Sequence, residues 1–283
     1  MTLSARVRPL WLMANMLALF LAVFAFLASA KGNELVDLEL VLAVDISLSM
    51  DKDEQRLQRQ GYVSAFRDPG IHAAIQSGPH GSIAVTYVEW AGSGSQSVIV
   101  PWRIIKSSED AHAFADALAA EPAVRALYTS ISEAVLASSR LISISPVKGL
   151  RRVIDVSGDG PNNSGIAIEV ARDRVVSSGI VINGLAIELG QGGGAYSYFD
   201  LPDLDRYYKD CVIGGPGSFV LSIRNKNEFA AAIRKKLLLE IANTPPPETG
   251  RLWRAQLAGE EEKYDCLIGE KLWRQYQMDY GDE

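Results

Sequence analysis

The sequence predicts an α/β protein: a doubly wound, mostly parallel sheet with one antiparallel edge strand and helices on both faces. Three observations predict it. Short apolar runs alternate with stretches of helical periodicity, an order that implies parallel strands joined by helical crossovers. The first run, Leu38–Val44, is almost continuously apolar, as suits a central strand buried on both faces. Asp45, Ser47 and Ser49 follow that run at once, at the strand end where open α/β sheets bind ligands.

The elements follow in order. Asp51-Lys52-Asp53-Glu54-Gln55 is an acidic, helix-favouring start, and Glu54–Phe66 reads as a helix stopped by Asp68-Pro69-Gly70. Ser82–Trp90 is a strand by its β-branched and aromatic content. Gly92–Ser95 is a turn and Gln96–Ile104 a second strand, so the pair forms a hairpin that supplies the antiparallel edge. Ser107-Ser108-Glu109-Asp110 caps a helix running to about Ala119. Thr129 opens another, to about Leu141. Arg151–Ser157 is a buried strand, Ser164–Ser178 a helix, and Ile180–Ile187 a strand interrupted at Asn183-Gly184. Ser218–Ile223 is the last strand and Asn227–Ala242 an amphipathic helix. The proline-rich stretch Asn243–Gly250 ends the domain. The tail Arg251–Glu283 is too short for its own core. Trp253, Leu257, Leu267, Ile268, Leu272 and Trp273 are expected to anchor part of it on the main domain. The organisation is therefore a domain over 36–243 and a proline-led extension over 244–283.

Residues 1–30 read as a secretory signal peptide. Arg6 and Arg8 precede the uncharged apolar stretch Leu10–Leu27, and Ala28-Ser29-Ala30 is a small-x-small cleavage site. An uncleaved membrane anchor is the alternative. Either way the domain is expected outside the cytoplasm, in the periplasm or extracellular space. The 28 basic residues less Arg6 and Arg8 leave 26 against 34 acidic ones, a net of −8. That balance argues against a nucleic-acid groove, which needs a basic face. In an exported chain the two cysteines, Cys211 and Cys266, could bridge and pin the extension to the domain. The alternative is a buried Cys211 thiol and a separate Cys266. With three histidines and no Cys-x-x-Cys, a zinc site is not indicated.

Asp45, Ser47 and Ser49 offer a carboxylate and two hydroxyls on alternate residues. These are hard oxygen donors suited to Mg²⁺, with Mn²⁺ or Ca²⁺ as alternatives. Such a site needs further oxygens. Thr129 lies before the helix that starts at Ile131, and Asp159 lies in Ser157-Gly158-Asp159-Gly160-Pro161, just beyond a strand. Alone, Asp-x-Ser-x-Ser reads equally as helix caps, Thr129 reads as a cap before a ligand, and Asp159 also reads as the turn residue of an Asp-Gly pair. Thr129 and Asp159 are candidates to complete the set begun by Asp45, Ser47 and Ser49.

Together these residues resemble a von Willebrand factor A (VWA) domain with a metal-ion-dependent adhesion site. That family's pattern is Asp-x-Ser-x-Ser after the first strand, a Thr further on, and an Asp after the fourth strand. The resemblance spans roughly Val36–Asn243. Within the superfamily the chain is most similar to secreted bacterial single-domain VWA-like proteins of unassigned function. The phrases that carry this are Val156-Ser157-Gly158-Asp159-Gly160-Pro161-Asn162-Asn163 and Tyr207-Tyr208-Lys209-Asp210-Cys211-Val212-Ile213-Gly214-Gly215. One position departs: the usual form at the last Asp is Thr-Asp-Gly, and here Gly158 precedes Asp159. The resemblance implies a VWA/Rossmann-like fold and a cation held, directly or through water, by Asp45, Ser47, Ser49, Thr129 and Asp159. It further implies an open coordination position that accepts an Asp or Glu of a protein partner.

The loops expected beside that position are Gly92–Ser95, Pro161–Ser164 and Gly190–Phe199. Their partner-facing candidates are Asn162, Asn163, Tyr196 and Tyr198, although the last loop reads equally as a glycine-rich connection with its aromatics turned inward. The glycine run lacks Gly-Lys-Ser/Thr and is no phosphate loop. A metal-dependent hydrolase is the alternative function. His72, His80 and His112 do not follow strand ends, so a Ser–His–Asp triad is not indicated. A scaffold with a structural or empty site is the third reading. No nucleic-acid partner is expected, and membrane contact only through an uncleaved N-terminal segment.

Overall fold

The computed structural model describes residues 34–189, 199–244 and 263–280. Strand β1 (Glu34–Asp45) is buried along nearly its whole length, as its continuous apolar run requires. Its alternate residues feed two cores. Leu38, Leu40, Leu42 and Val44 face one, Val41 and Ala43 the other. Helix α1 (Lys52–Phe66) starts at a capping box. The Asp51 carboxylate accepts the Glu54 N–H at 2.7 Å, and the Glu54 carboxylate accepts the Asp51 N–H at 2.9 Å.

Asp68-Pro69-Gly70 is a start as well as a stop. Asp68 caps a second helix, α2 (Pro69–Gln76), accepting the Gly70 N–H at 2.7 Å, and Pro69 suits the first turn because it has no N–H to lose. Strands β2 (Ile83–Trp90) and β3 (Gln96–Ile105) form the antiparallel pair, with β3 at the sheet edge. Helices α3 (Ser108–Ala120) and α4 (Ile131–Ser143) precede β4 (Val147–Gly158).

Helix α5 (Ile168–Ser177) begins four residues later than the sequence suggests. The preceding loop is held by side chains instead: Ser130 donates to the Ser164 carbonyl at 2.8 Å and Asn162 to the Ile166 carbonyl at 3.2 Å. Strand β5 (Val181–Ile187) passes through Asn183-Gly184 without a break. The Asn183 side chain takes the Phe219 N–H at 3.2 Å and donates to Glu240 at 3.0 Å. The short helix α6 (Leu204–Tyr207) widens into a π-helical turn over Tyr208–Val212. Strand β6 (Val220–Ile223) and helix α7 (Phe229–Ala242) follow.

The six strands run in the order β3-β2-β1-β4-β5-β6, parallel except for the β2/β3 pair. Helices α1, α2, α3 and α7 pack on one face through residues such as Phe66, Ile75, Phe114 and Ile233. Helices α4, α5 and α6 pack on the other through Val135, Val175 and Tyr207. The extension adds a helix, α8 (Ile268–Tyr280), on this second side, where Ile268 and Tyr264 join the core. Cys211 and Cys266 are joined by a disulfide with Cα atoms 5.4 Å apart. No helix among the described residues is long and apolar enough to cross a membrane. The signal-peptide reading of residues 1–30, and Tyr196 and Tyr198, lie outside the described residues.

Candidate metal centre

The site forms where the strand order reverses. β1 has β2 on one side and β4 on the other, so the crossovers diverge and leave a crevice beyond the carboxyl ends of β1 and β4. Asp45 ends β1 opposite Trp90 of β2, and Asp159 follows β4 directly. Short polar contacts join them. Asp45 Oδ1 accepts the Ser47 N–H at 2.7 Å, the Ser47 and Ser49 hydroxyls lie 2.8 Å apart, and the Ser49 hydroxyl donates to Asp159 Oδ1 at 2.7 Å. Ser47, Ser49, Thr129 and Asp159 line one cleft, and Asp45 is fully buried next to them.

The second oxygens, Asp45 Oδ2 and Asp159 Oδ2, are buried without a hydrogen-bond partner. An unpaired buried carboxylate oxygen is costly, and two neighbouring ones mark a place that a cation would suit. Burial pushes the Asp45 carboxyl up to about 7, against the pull of the Ser47 N–H and hydroxyl and the Asp159 N–H. Burial pushes Asp159 well above the carboxylate range, and the charge of Asp45 adds to it, while the Ser49 hydroxyl opposes. Neither acid forms an ion pair with a described residue. The nearby ammonium of Lys226 instead holds Asp51 at 2.8 Å and Glu54 at 3.2 Å. No group of three or more His, Cys, Asp or Glu side chains converges among the described residues. The candidate donors are two carboxylates and three hydroxyls, types that suit a hard cation that keeps part of its water.

The loops carrying these side chains are tied to one another. The Arg125 guanidinium binds the carbonyls of Leu48 and Met50, and the Ala126 N–H donates to the Ile46 carbonyl at 3.0 Å. Ser130, not Thr129, caps α4. Asn163 clamps the Thr129 loop: its side chain accepts the Thr129 N–H at 2.9 Å and its own N–H donates to the Thr129 carbonyl at 2.8 Å. Asn163 also lines the cleft. Asn162, expected to face a partner, is instead fully buried. It accepts the Ser132 N–H at 3.0 Å and donates to Glu270 at 2.7 Å, so its role is to join loops.

The departure at Gly158 has a steric reason. A Cβ there would stand 2.8 Å from both Asp45 Oδ2 and the Tyr208 hydroxyl, and 3.3 Å from the Trp90 ring. Tyr208 is fully buried, and its hydroxyl has no hydrogen-bond partner. Tyr208 is thus a site residue that the sequence reading did not single out. So are Asp200, Tyr128 and Tyr276, which line the cleft with Phe199 and Trp273. The available signal was the three-residue spacing of Trp273 and Tyr276 on a helix.

Fold and site geometry together define a VWA-like α/β domain. The chain belongs to the family described as "protein of unknown function (DUF1194)", whose model matches residues 35–245. No curated protein matches the chain. Among solved structures it is similar to the pilus adhesin SpaC from Lactobacillus rhamnosus GG, at 14% identity and a TM-score of 0.56, over 76% of this chain and 32% of that one. It is also similar to proximal thread matrix protein 1 from the mussel byssus, solved with a zinc-occupied MIDAS motif, at 14% identity and a TM-score of 0.53, over 74% and 49%. A von Willebrand factor type A protein from Catenulispora acidiphila matches at 15% identity and a TM-score of 0.50, over 73% and 43%. The chain spans half or less of the length of each. At these identities the likeness is one of fold.

Proposed function

We propose that this domain binds a divalent cation and, through it, an acidic residue of a protein partner, in adhesion or assembly outside the cytoplasm. Asp45 and Asp159 supply the charge, and Ser47, Ser49 and Thr129 supply neutral oxygens, for Mg²⁺ first and Mn²⁺ or Ca²⁺ as alternatives. A bound cation would provide a Lewis-acidic position and reverse the sign of the field in a cleft whose charged lining residues, Asp159 and Asp200, are both acids. The observation that carries this reading is the pair of buried, unpartnered oxygens Asp45 Oδ2 and Asp159 Oδ2. The loop ties described above hold these donors in place before any partner arrives. Support comes from similarity to a pilus adhesin and to a byssus protein with a zinc-occupied site. The disulfide and the signal-peptide pattern of residues 1–30 favour export.

Two measurements test it. Titration calorimetry with Mg²⁺ and Mn²⁺ gives a binding signal that Asp45→Ala abolishes. Asp45→Asn, which keeps an oxygen to accept the Ser47 N–H and removes the charge, gives the same loss of signal and controls for folding. A pull-down from the exported fraction then yields partners lost both with chelator and in Asp45→Ala. Partners retained in both conditions would overturn the proposal.

One observation favours a second reading, a metal-dependent hydrolase. Asp200 lines the cleft and is half-buried, and burial with the charge of Glu54 pushes its carboxyl up to about 6, a value suited to a general base. Turnover of a generic phosphate or ester, lost in both Asp200→Asn and Asp45→Ala, would establish it.

A further inference from the structure

We infer that helix α8 turns the candidate metal centre into a narrow aromatic-walled cleft, which selects an acidic residue with an apolar neighbour on a protruding peptide segment. The inference rests on the cation reading above and names the kind of partner it serves.

Helix α8 is fastened to the site. The disulfide at Cys266 stands just before it. Gly269 packs so closely on the loop after Asp159 that a Cβ there would lie 2.1 Å from the Asn162 carbonyl oxygen. The Glu270 carboxylate accepts the Asn162 side-chain N–H at 2.7 Å, one residue further on. Ahead of the helix, the Tyr264 hydroxyl donates to Asp203 at 2.8 Å. These contacts hold the helix against the same loop that presents Asp159.

From that position α8 offers two rings one turn apart. Trp273 and Tyr276 stack at 5.7 Å with an 18° angle between planes. Phe199 meets them at 5.8 and 5.7 Å, and Tyr128 meets Trp273 edge-on at 5.1 Å. All four line the cleft whose polar part is Ser47, Ser49, Thr129 and Asp159. Tyr128 is 46% exposed, and the other three are half-buried.

Size and chemistry narrow the occupant. The cleft holds about 170 Å³. Pockets for whole small molecules run from about 300 to 1,000 Å³. A space below that range suits one or two side chains rather than a whole small molecule. A carboxylate satisfies the cation-balanced polar end but leaves the rings facing water. An apolar residue next to it covers them, and Trp and Tyr are effective anchors for such contacts. Asp200, also on the lining, repels a second acid, so an isolated carboxylate is favoured over a polyacidic run. The aromatic rim keeps a carboxylate on a flat surface away from the cation, whereas an extended or looped segment reaches it.

The test pans a displayed random heptapeptide library on the full chain in Mn²⁺, with elution by EDTA. Four proteins are compared: wild type, Trp273→Ala/Tyr276→Ala, Trp273→Phe and Asp45→Ala. Wild type is expected to enrich a single Asp or Glu beside an aliphatic or aromatic residue. The double variant keeps the acid, loses the apolar preference, and binds the best wild-type peptide about tenfold or more weakly by fluorescence anisotropy. Trp273→Phe, which keeps a ring, retains the preference and guards against a folding artefact. Acidic peptides without an apolar neighbour, or a preference unchanged in the double variant, overturn the inference while leaving the cation reading intact. No EDTA-eluted peptide, with the Mg²⁺ heat signal preserved, also overturns it. Loss of both peptides and heat signal in wild type removes the cation reading and the inference together.

Discussion

At the scale of single residues, Gly158 and Tyr208 act as a pair. The space that a side chain at 158 would fill is bounded by Asp45 Oδ2 and the Tyr208 hydroxyl. The phenol sits unpaired beside two acids, and burial and their charges push its pKa well above the usual value. If Asp45 holds a cation as proposed, the protonated phenol beside it would serve to orient that ligand, a role whose loss typically costs 10–100-fold in affinity. Tyr208→Phe therefore has opposite effects in two measurements. It weakens Mg²⁺ affinity about 10–100-fold by calorimetry. It also leaves the cation-free protein as stable or more stable, by about 1 kcal/mol in urea unfolding, because an unpaired buried hydroxyl is removed. Gly158→Ala overpacks the same space and lowers stability by about 1–3 kcal/mol. Combining it with Tyr208→Phe relieves part of that loss, which a double-mutant cycle would read as a coupling between the two positions.

At the scale of elements, a polar cluster joins β4, β5 and α7 beneath the site. Lys236, fully buried, donates to Glu240 at 2.7 Å and pairs with Asp155, while Tyr62 and Asn183 face the same acids. One ammonium serves two carboxylates. Burial pushes Glu240 up to about 7 and the charge of Asp155 adds to it, against Lys236 and Asn183. Its ordinary value is 4.5, so between pH 4.5 and about 7 the folded chain holds more protons than the unfolded one. The stabilising contribution of this group is full below 4.5 and is lost as pH rises through 7. Glu240→Gln removes that titration. Between pH 5 and pH 8 the variant gains on wild type in urea unfolding by on the order of 1–3 kcal/mol. At α8, the disulfide closes a separation of 55 residues. Cys266→Ser is expected to cost up to about 4 kcal/mol by loop entropy. It should also make α8 the earliest site of limited proteolysis.

At the scale of the whole molecule, a ligand that binds only the folded state raises the melting temperature by mass action. Mg²⁺ at about 100 times its dissociation constant contributes about 2.7 kcal/mol. For a body of this size that is a rise of about 5–10 °C, absent in Asp45→Ala. A melting curve indifferent to Mg²⁺, Mn²⁺ and Ca²⁺ would speak against the cation proposal. The charge of the cleft fits such dependence, since its charged lining residues, Asp159 and Asp200, are both acids and the nearby ammonium of Lys226 is occupied with Asp51 and Glu54.

The sequence by itself determined the α/β class, the antiparallel edge and the end of the first strand at Asp45. These rest on local signals: an apolar run buried on both faces, a turn between two β-rich segments, and polar residues at a strand end. It also placed Ser47, Ser49, Thr129 and Asp159 in order, because each lies where its own element starts or stops. Only the tertiary structure decided which of these side chains meet. Ser49 and Asp159 are 110 positions apart, and no local pattern encodes their contact. Asn162 looked exposed on a polar loop and is buried, because Ser132 of α4, Glu270 of α8 and the Ile166 carbonyl converge on its amide. Tyr208 and the rings of α8 were invisible as site residues for the same reason: helical spacing tells which side chains share a face, but the disulfide and the Gly269–Asn162 contact decide what that face meets.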